Sequence, residues 1–320
     1  MNIAGLVGAL LPVFFVLALG YVAGKRNSFD SDQAAGLSKL AIQFALPATL
    51  FVSMTAISRT LLLEQGPLVL ALILAHTGLF LAAWMLLGMT KSLRGTPAIL
   101  YALMLATSAT PVFGLAVLEP ILGPTAAGAV GLVALAINLV VPAAVVLLEV
   151  DAAKQRTVTK ESAQTSPVLT GLSSGLKSPL LWAPILGIAV VLAKIPLPKV
   201  IAGCFELIGS TTSGVAVFAV GLVLAAHAVR LSRSVLLGTL GRITVQNIVL
   251  LALLHGLHVN SPFARETLIC CSFPLATVVV LFAARYKSSE SETASMLLLS
   301  TLSLAVTVPI ILWLTHRWAV

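Results

Sequence analysis

"CSFPLATVVV", residues 271–280, sits in the middle of an apolar run from about Phe263 to Ala284. The run is long enough to cross a bilayer, and a proline stands halfway along it. An interior proline removes one backbone donor and clashes with the carbonyl four residues earlier, at a cost of about 3 kcal/mol. Here that carbonyl belongs to Cys270, and no lipid can hydrogen-bond to it. Pro274 therefore marks either a simple kink or a broken helix lining a polar site. The rest of the chain decides between them.

Of the 320 residues, 59% are hydrophobic and 9% charged, with a mean hydropathy of +1.07. A soluble domain carries about 25% charged residues, so this composition excludes one. Stretches of about 20 apolar residues read as membrane-spanning helices, and they recur from end to end. The expected class is an all-α polytopic membrane protein. The first run, Ile3 to Gly24, has no basic residue before it and Lys25-Arg26 after it. That charge order is the reverse of a secretory signal, so we read a retained first helix. The three cysteines, Cys204, Cys270 and Cys271, lie in apolar surroundings without metal spacing or a disulfide framework, which assigns them to packing. The net charge of +8 raises a nucleic-acid partner, but the positions of the basic residues fit orientation in a bilayer instead.

Ten spans are expected, near 3–24, 37–57, 67–89, 97–118, 125–149, 179–194, 200–227, 234–257, 263–285 and 294–315. A polar stretch at 151–178, containing "DAAKQRTVTKESAQTS", reads as a cytoplasmic linker between five-helix halves at 1–150 and 179–320. Lys25, Arg26, Lys39, Lys91, Arg94, Lys154, Arg156, Lys160, Lys177, Arg230, Arg233, Arg285 and Lys287 collect on one side. Only Arg59, Lys194, Lys199, Arg265 and Arg317 fall on the other. The positive-inside rule makes the first side cytoplasmic and puts both termini outside.

The halves resemble each other. "LPVFFVLALGYVAGK" from Leu11 aligns with "APILGIAVVLAKI" from Ala183, pairing Pro12 with Pro184. "NLVVPAAVVLL" from Asn138 aligns with "LAVTVPIILWL" from Leu304, pairing Pro142 with Pro309, and Pro111 pairs with Pro274. Three matched pairs in order argue against coincidence. Because each half has an odd number of spans, the two repeats would be oppositely oriented. Inverted repeats with helices interrupted at matching positions are the best sequence pointer to a transporter's binding site, so Pro111 and Pro274 are expected to mark one.

Around these prolines, Ser108 and Thr110 supply hydroxyls and Gly114 allows close backbone approach; Ser272 and Thr277 match them in the second half. A broken helix exposes unpaired N–H groups at the start of its downstream half, where the dipole also favours an anion. The competing reading has the Ser and Thr side chains bonding their own helix carbonyls. His76, within "ALILAHTGLF", is an ionisable group at membrane depth and hence a functional candidate; its alternative is a neutral histidine bonded to a nearby helix. Asn138, Gln246 and Asn247 are uncharged polar candidates that could equally join helices. Arg242, two turns into the eighth span, suits bidentate carboxylate recognition or else snorkels toward the cytoplasmic surface. His227, His255 and His316 sit near span ends and read as interfacial.

No span has a central Asp or Glu; Glu119, Glu149 and Glu206 lie toward ends. This counts against a carboxylate-built cation site and against an intramembrane enzyme using paired acids and a metal. No Walker-type loop is present, and no cofactor is expected.

At these residues the chain resembles the auxin efflux carrier family. "SGVAVFAVGLVLAAH" (213–227) is similar to the family's seventh-span signature, "LSTLSLAVTVPIILWL" (299–314) to its last-span signature, and "FPLATVVVLFAARY" (273–286) to its ninth-span proline motif. "SPLLWAPILGI" and the seventh-span stretch look most like the malonate transporter branch. The resemblance implies ten helices in two inverted repeats, similar to the sodium/proton antiporter and bile-acid symporter folds. Spans 1, 2, 6 and 7 would form a scaffold. Spans 3–5 and 8–10 would form a moving domain, with 4 and 9 crossing as broken helices. It further implies a homodimer through the scaffold in the bacterial inner membrane. Many relatives have an asparagine just before the first crossover glycine; here "TPVFG" offers Thr110 and Pro111 instead.

The expected function is secondary transport of a small organic anion such as malonate by alternating access, with a channel-like facilitator or membrane sensor as the alternative. Because half-helix ends supply only about half a charge each, a dicarboxylate would need a cationic residue, a bound proton or its own protonation. His76 and Arg242 are the candidates for that charge.

Overall fold

The computed structural model describes residues 3–90, 93–111, 114, 118, 126–158, 169, 173, 176–226, 232–259 and 261–316. Every regular element among them is helical; the one departure is an isolated antiparallel bridge between Ser108 and Leu275. Helix α1 spans Ile3–Lys25. It ends in a Schellman turn, with Ser28 N donating to Ala23 O and Asn27 held at φ +52°. Asparagine tolerates that left-handed position. Asp30 then opens α2 (Ser31–Leu40) with a reciprocal capping box to Gln33.

Helix α2 passes through a π-helical turn, Ala41–Ala45, into α3 (Leu46–Thr55). Pro47 explains the turn. Its ring would strike the carbonyl of Gln43 in a regular α-helix, and the widened turn lets Leu46 N reach Ala41 O instead. Short α4 (Arg59–Glu64) is capped by Ser58. Helix α5 (Gly66–Ile73) runs through a second π-helical turn, Leu74–Gly78, into α6 (Leu79–Gly88), and α7 (Thr96–Ala106) follows. The later helices are α8 (Ala126–Val158), α9 (Pro179–Leu192), α10 (Lys199–Ala226) and α11 (Arg233–Gly256). The last are α12 (Ala264–Cys271), α13 (Thr277–Arg285) and α14 (Glu290–His316).

Among the described residues, five segments are long and apolar enough to cross a membrane: Asp32–Thr55, Gly66–Gly88, Ala126–Gln155, Lys199–Ala226 and Arg233–Gly256. Apolar side chains face outward along them. Val200 and Leu207 of α10 are 80% and 77% exposed, whereas His76, Arg242 and Gln246 are wholly buried. A water-soluble protein shows the opposite arrangement. A surface this apolar needs lipid around it.

Two bodies of core position the interior. One gathers α7, α8, α10 and α13 around Leu100, Val141, Val220 and Phe282. The other gathers α5, α8, α11 and α12 around Leu72, Val133, Leu250 and Phe273. Helices α1 and α10 touch backbone to backbone where Gly20 meets Phe218 and Gly221 meets Leu17. Helix α3 packs on both α9 and α10; the Thr49 hydroxyl joins α10 through Gly209 O and Thr212 Oγ1, each at 2.8 Å.

Helix α8 extends beyond the end expected at residue 149, through Asp151 to Val158. The stretch "DAAKQRTV" lacks Gly and Pro and is rich in Ala, Lys, Gln and Arg, which sustain a helix. Asp151 also has a local task. Its Oδ2 accepts from Thr96 N and Thr96 Oγ1, both at 2.7 Å, and so caps the start of α7. Gly95 makes room, at φ +67°, since a Cβ there would lie 2.6 Å from Asp151 Oδ1. We expect Asp151→Ala to lower thermal stability by about 1–2 kcal/mol, and Asp151→Asn to cost less because one acceptor oxygen remains. Equal melting temperatures for wild type and Asp151→Ala in detergent would rule out this cap as a stabilising contact. Of the expected linker, most of the remainder lies outside the described residues, as do His227 and Glu119.

Candidate functional site

Two interruptions meet inside the protein. Helix α7 stops at Ala106, Thr107 turns extended (φ −123°, ψ 144°), and helical geometry resumes at Thr110. Helix α12 stops at Cys271, and α13 begins at Thr277 after an extended Ala276. The two breaks pair with each other. Ala109 N donates to Pro274 O at 2.7 Å, beside the Ser108–Leu275 bridge.

The carbonyl freed by Pro274 accepts from Phe273 N in its own turn, at 3.2 Å, and finds a closer donor in the other break: Thr110 Oγ1 donates to Cys270 O at 2.8 Å, with Ser108 Oγ 2.7 Å from the same hydroxyl. Each upstream helix is closed by its own hydroxyl. Thr107 Oγ1 donates to Leu103 O at 2.7 Å, and Ser272 Oγ to Leu268 O at 3.0 Å. These pairs correspond 165 positions apart, 272 against 107 and 268 against 103, whereas the two prolines are 163 apart, 274 against 111. Pro274 thus lies within its break, while Pro111 is exposed in the first turn after the other. A proline is well tolerated there because its missing N–H would be unpaired anyway.

Helix α11 supplies the groups that bind both breaks. Arg242, 0% exposed, donates from Nε to Thr107 O at 3.0 Å, from one terminal nitrogen to Phe273 O, and from the other to Cys271 O at 3.4 Å. It does not snorkel. The two half-helix ends present a ring of carbonyls that only a donor-rich, permanently charged side chain can serve. One turn further, Gln246 Nε2 donates to Ala106 O at 3.2 Å, and Asn247 Nδ2 donates to Ser272 Oγ at 2.9 Å. Ser300 of α14 completes the cradle, its Oγ accepting from Leu275 N at 3.0 Å.

His76 stands in the π-helical turn between α5 and α6, also 0% exposed. Its Nδ1 lies 2.9 Å from Leu72 O, so Nδ1 carries the proton and donates. Nε2 is then an acceptor, 3.9 Å from the Cys271 thiol. Cys271 thus joins His76 to the second break, a contact that its apolar surroundings did not reveal in the sequence.

Three candidates lie elsewhere. Asn138 Nδ2 donates to Ser53 Oγ at 3.0 Å, joining α8 to α3. Gly114 packs on α8, where a Cβ would lie 2.8 Å from the methyls of Val130. Thr277 lines a small, mostly apolar cavity with Phe14, Leu17 and Val217 on one side and Leu297, Leu298 and Thr301 on the other.

The charge balance is informative. The C-terminal ends of α7 and α12 each present roughly half a negative charge, which the guanidinium offsets. The helical start at Thr277 presents roughly half a positive charge. Among the described residues no carboxylate pairs with Arg242; Arg285 pairs with Glu149, 2.8 Å apart. Among the described helix ends the meeting point is left with about half a net positive charge in a buried setting. An anion fits it.

We expect Thr110→Val to leave Cys270 O with only its turn donor, Phe273 N, and to cost about 0.5–1.5 kcal/mol, read as a lower melting temperature. Thr110→Ser, which keeps the hydroxyl, should stay close to wild type. A Thr110→Val variant as stable as Thr110→Ser would show that the hydroxyl bond is dispensable.

The family model for membrane transport proteins matches residues 6–312. The uncharacterized transporter YfdV of Escherichia coli K12 is 31% identical over 310 residues, covering 96% of each chain; its counterpart in Shigella flexneri aligns equally well. The mouse lysosomal cholesterol signaling protein is 24% identical over 334 residues, covering 98% of this chain and 38% of the mouse protein. The chain belongs to the membrane transport protein family, the auxin efflux carriers. It is a multi-pass membrane transporter.

Proposed function

We propose that the protein is a secondary carrier of small organic anions, with malonate or a similar carboxylate as substrate. The observation that carries this reading is Arg242: a fully buried guanidinium at the meeting of two broken helices, held by carbonyls and without a carboxylate partner among the described residues. The resemblance to the malonate branch supports the substrate class. Alternating access would move α5–α8 and α11–α14 against a scaffold of α1–α3, α9 and α10, the helices that pack most closely on one another. In this reading the chain makes ten spans in two inverted repeats, forms a homodimer through the scaffold in a bacterial inner membrane, and keeps both termini outside.

Counterflow in proteoliposomes tests the carrier. Labelled malonate should accumulate transiently when the vesicles are preloaded with unlabelled malonate, because a carrier exchanges one for the other. Uptake indifferent to preloading would identify a pore. A second reading, a membrane sensor on the same fold, draws support from the name of the mouse relative; malonate binding without any flux would favour it.

A further inference from the structure

Gln246 lies one helical turn from Arg242 on α11, so the two side chains share a face, with about 5–6 Å between their Cβ atoms. Their heads reach consecutive carbonyls, Ala106 O for Gln246 Nε2 and Thr107 O for Arg242 Nε. This contact fixes the amide's orientation, since a flipped Gln246 would set oxygen against oxygen. Gln246 Oε1 is then a buried acceptor without a hydrogen-bond partner. Asn247 is fixed in the same way. Its Nδ2 donates to Ile243 O at 2.7 Å and to Ser272 Oγ, leaving Oδ1 buried and unpaired. Leaving a buried acceptor unmade costs about 1–3 kcal/mol. On the donor side, a guanidinium offers five N–H groups; Arg242 spends three on carbonyls, which leaves two.

We propose that the ligand of this site is a carboxylate that also carries an O–H, either a 2-hydroxy acid or a half-ionised diacid. Its carboxylate would take the two remaining N–H groups of Arg242, and its O–H would be donated to Gln246 Oε1. This inference rests on the anion-carrier reading and sharpens it. A fully ionised dicarboxylate offers acceptors only, so its second carboxylate would face an unpaired amide oxygen. Gln246 thereby becomes the residue that selects for a donor on the substrate, as buried polar groups do when an analogue lacking the matching group leaves them unpaired.

The test uses the purified full-length protein and titration calorimetry with glycolate, methoxyacetate and acetate, three monoanions of which only glycolate carries an O–H. Glycolate should bind about tenfold tighter or more than the other two. In Gln246→Met the gap should close, glycolate affinity falling to that of acetate measured in the same variant. Malonate separates the two ligand sources. If its affinity rises as pH falls toward its second ionisation while glycolate affinity stays flat, the half-ionised diacid is recognised as well. Glycolate controls there for titration of the groups around the pair, His76, Cys270, Cys271 and Arg242. Equal wild-type affinities for the three monoanions would overturn the inference and leave the carrier reading standing. A glycolate preference that survives in Gln246→Met would overturn the role of Gln246. Failure of every carboxylate to bind would instead overturn the anion-carrier reading, and this inference with it.

Discussion

Arg242→Gln is expected to weaken carboxylate binding by roughly a hundredfold or more, since each hydrogen bond to a charged group is worth about 1.5–3 kcal/mol and two are lost. The variant also removes the charge that faces the ends of α7 and α12. Thr107 O, Cys271 O and Phe273 O would then share a shorter, neutral amide, so a fall in stability is expected alongside. Arg242→Lys separates the two effects. Lysine keeps the charge but lacks the planar fork; it should keep part of the carboxylate affinity and still lose carbonyl contacts. Thermal stability with and without malonate, followed by titration of each variant that folds, gives both readouts. Arg242→Gln binding malonate with wild-type affinity would remove the guanidinium from the site. His76 provides the comparison: its Nδ1 proton is already committed to Leu72 O, so His76→Gln should alter affinity far less than Arg242→Gln.

The sequence announced the break at Pro274 because proline has an unavoidable local consequence. Pro274 must free the carbonyl of Cys270, and a freed carbonyl in hydrocarbon needs a donor from within the protein. What could not be read was the identity of that donor, because Thr110 lies 160 positions away and nothing in a hydropathy profile says which helices cross. The proline pairing also misplaced the register between the breaks by two positions. Proline interrupts a helix when it lies inside it and merely begins one when it lies in the first turn; Pro274 does the first and Pro111 the second. The better marker was the pair Thr107 and Ser272, hydroxyls that close the preceding helical turn in both breaks. Serine and threonine do this so commonly in membranes that the pair does not stand out in one sequence.

Arg242 was visible as a charge two turns into a span, where a long side chain has two outcomes. Snorkelling depends on which face of the helix meets lipid, and the hydrophobic pattern of α11 does not resolve that face. Carbonyls from two other helices decided it. His76 and Asn138 were visible for the same reason, yet one lies beside the breaks and the other joins α8 to α3. Polar character at membrane depth reports that a partner exists, and the fold alone reports which.

The second large effect lies at glycines that no motif singles out. Gly221→Leu should prevent α1 from docking on α10. A Cβ at Gly221 would meet Leu17 O and lie 2.7 Å from Tyr21 N, and one at Gly20 would meet Phe218 O. These are backbone atoms, which cannot turn aside as a side-chain tip can, so the helices must part. One turn on, Gly24 faces Ala225, where an added Cβ would lie 2.5 Å from the alanine methyl. The two helices therefore meet along small residues spaced four apart, which is how membrane helices bring their backbones together. Overpacking a core usually costs about 1–3 kcal/mol, and a backbone clash belongs at or above the top of that range. The expected result is a large loss of folded protein, read by size-exclusion chromatography in detergent and by melting temperature. Gly203 and Gly214 lie on the same helix with nothing within 4 Å of an added Cβ. Gly203→Ala and Gly214→Ala should be neutral or stabilising by up to about 1 kcal/mol, as alanine is the better helix former. Gly221→Leu as stable as Gly203→Ala would mean that α1 and α10 do not approach so closely, and the scaffold assigned to the carrier would lose its tightest joint.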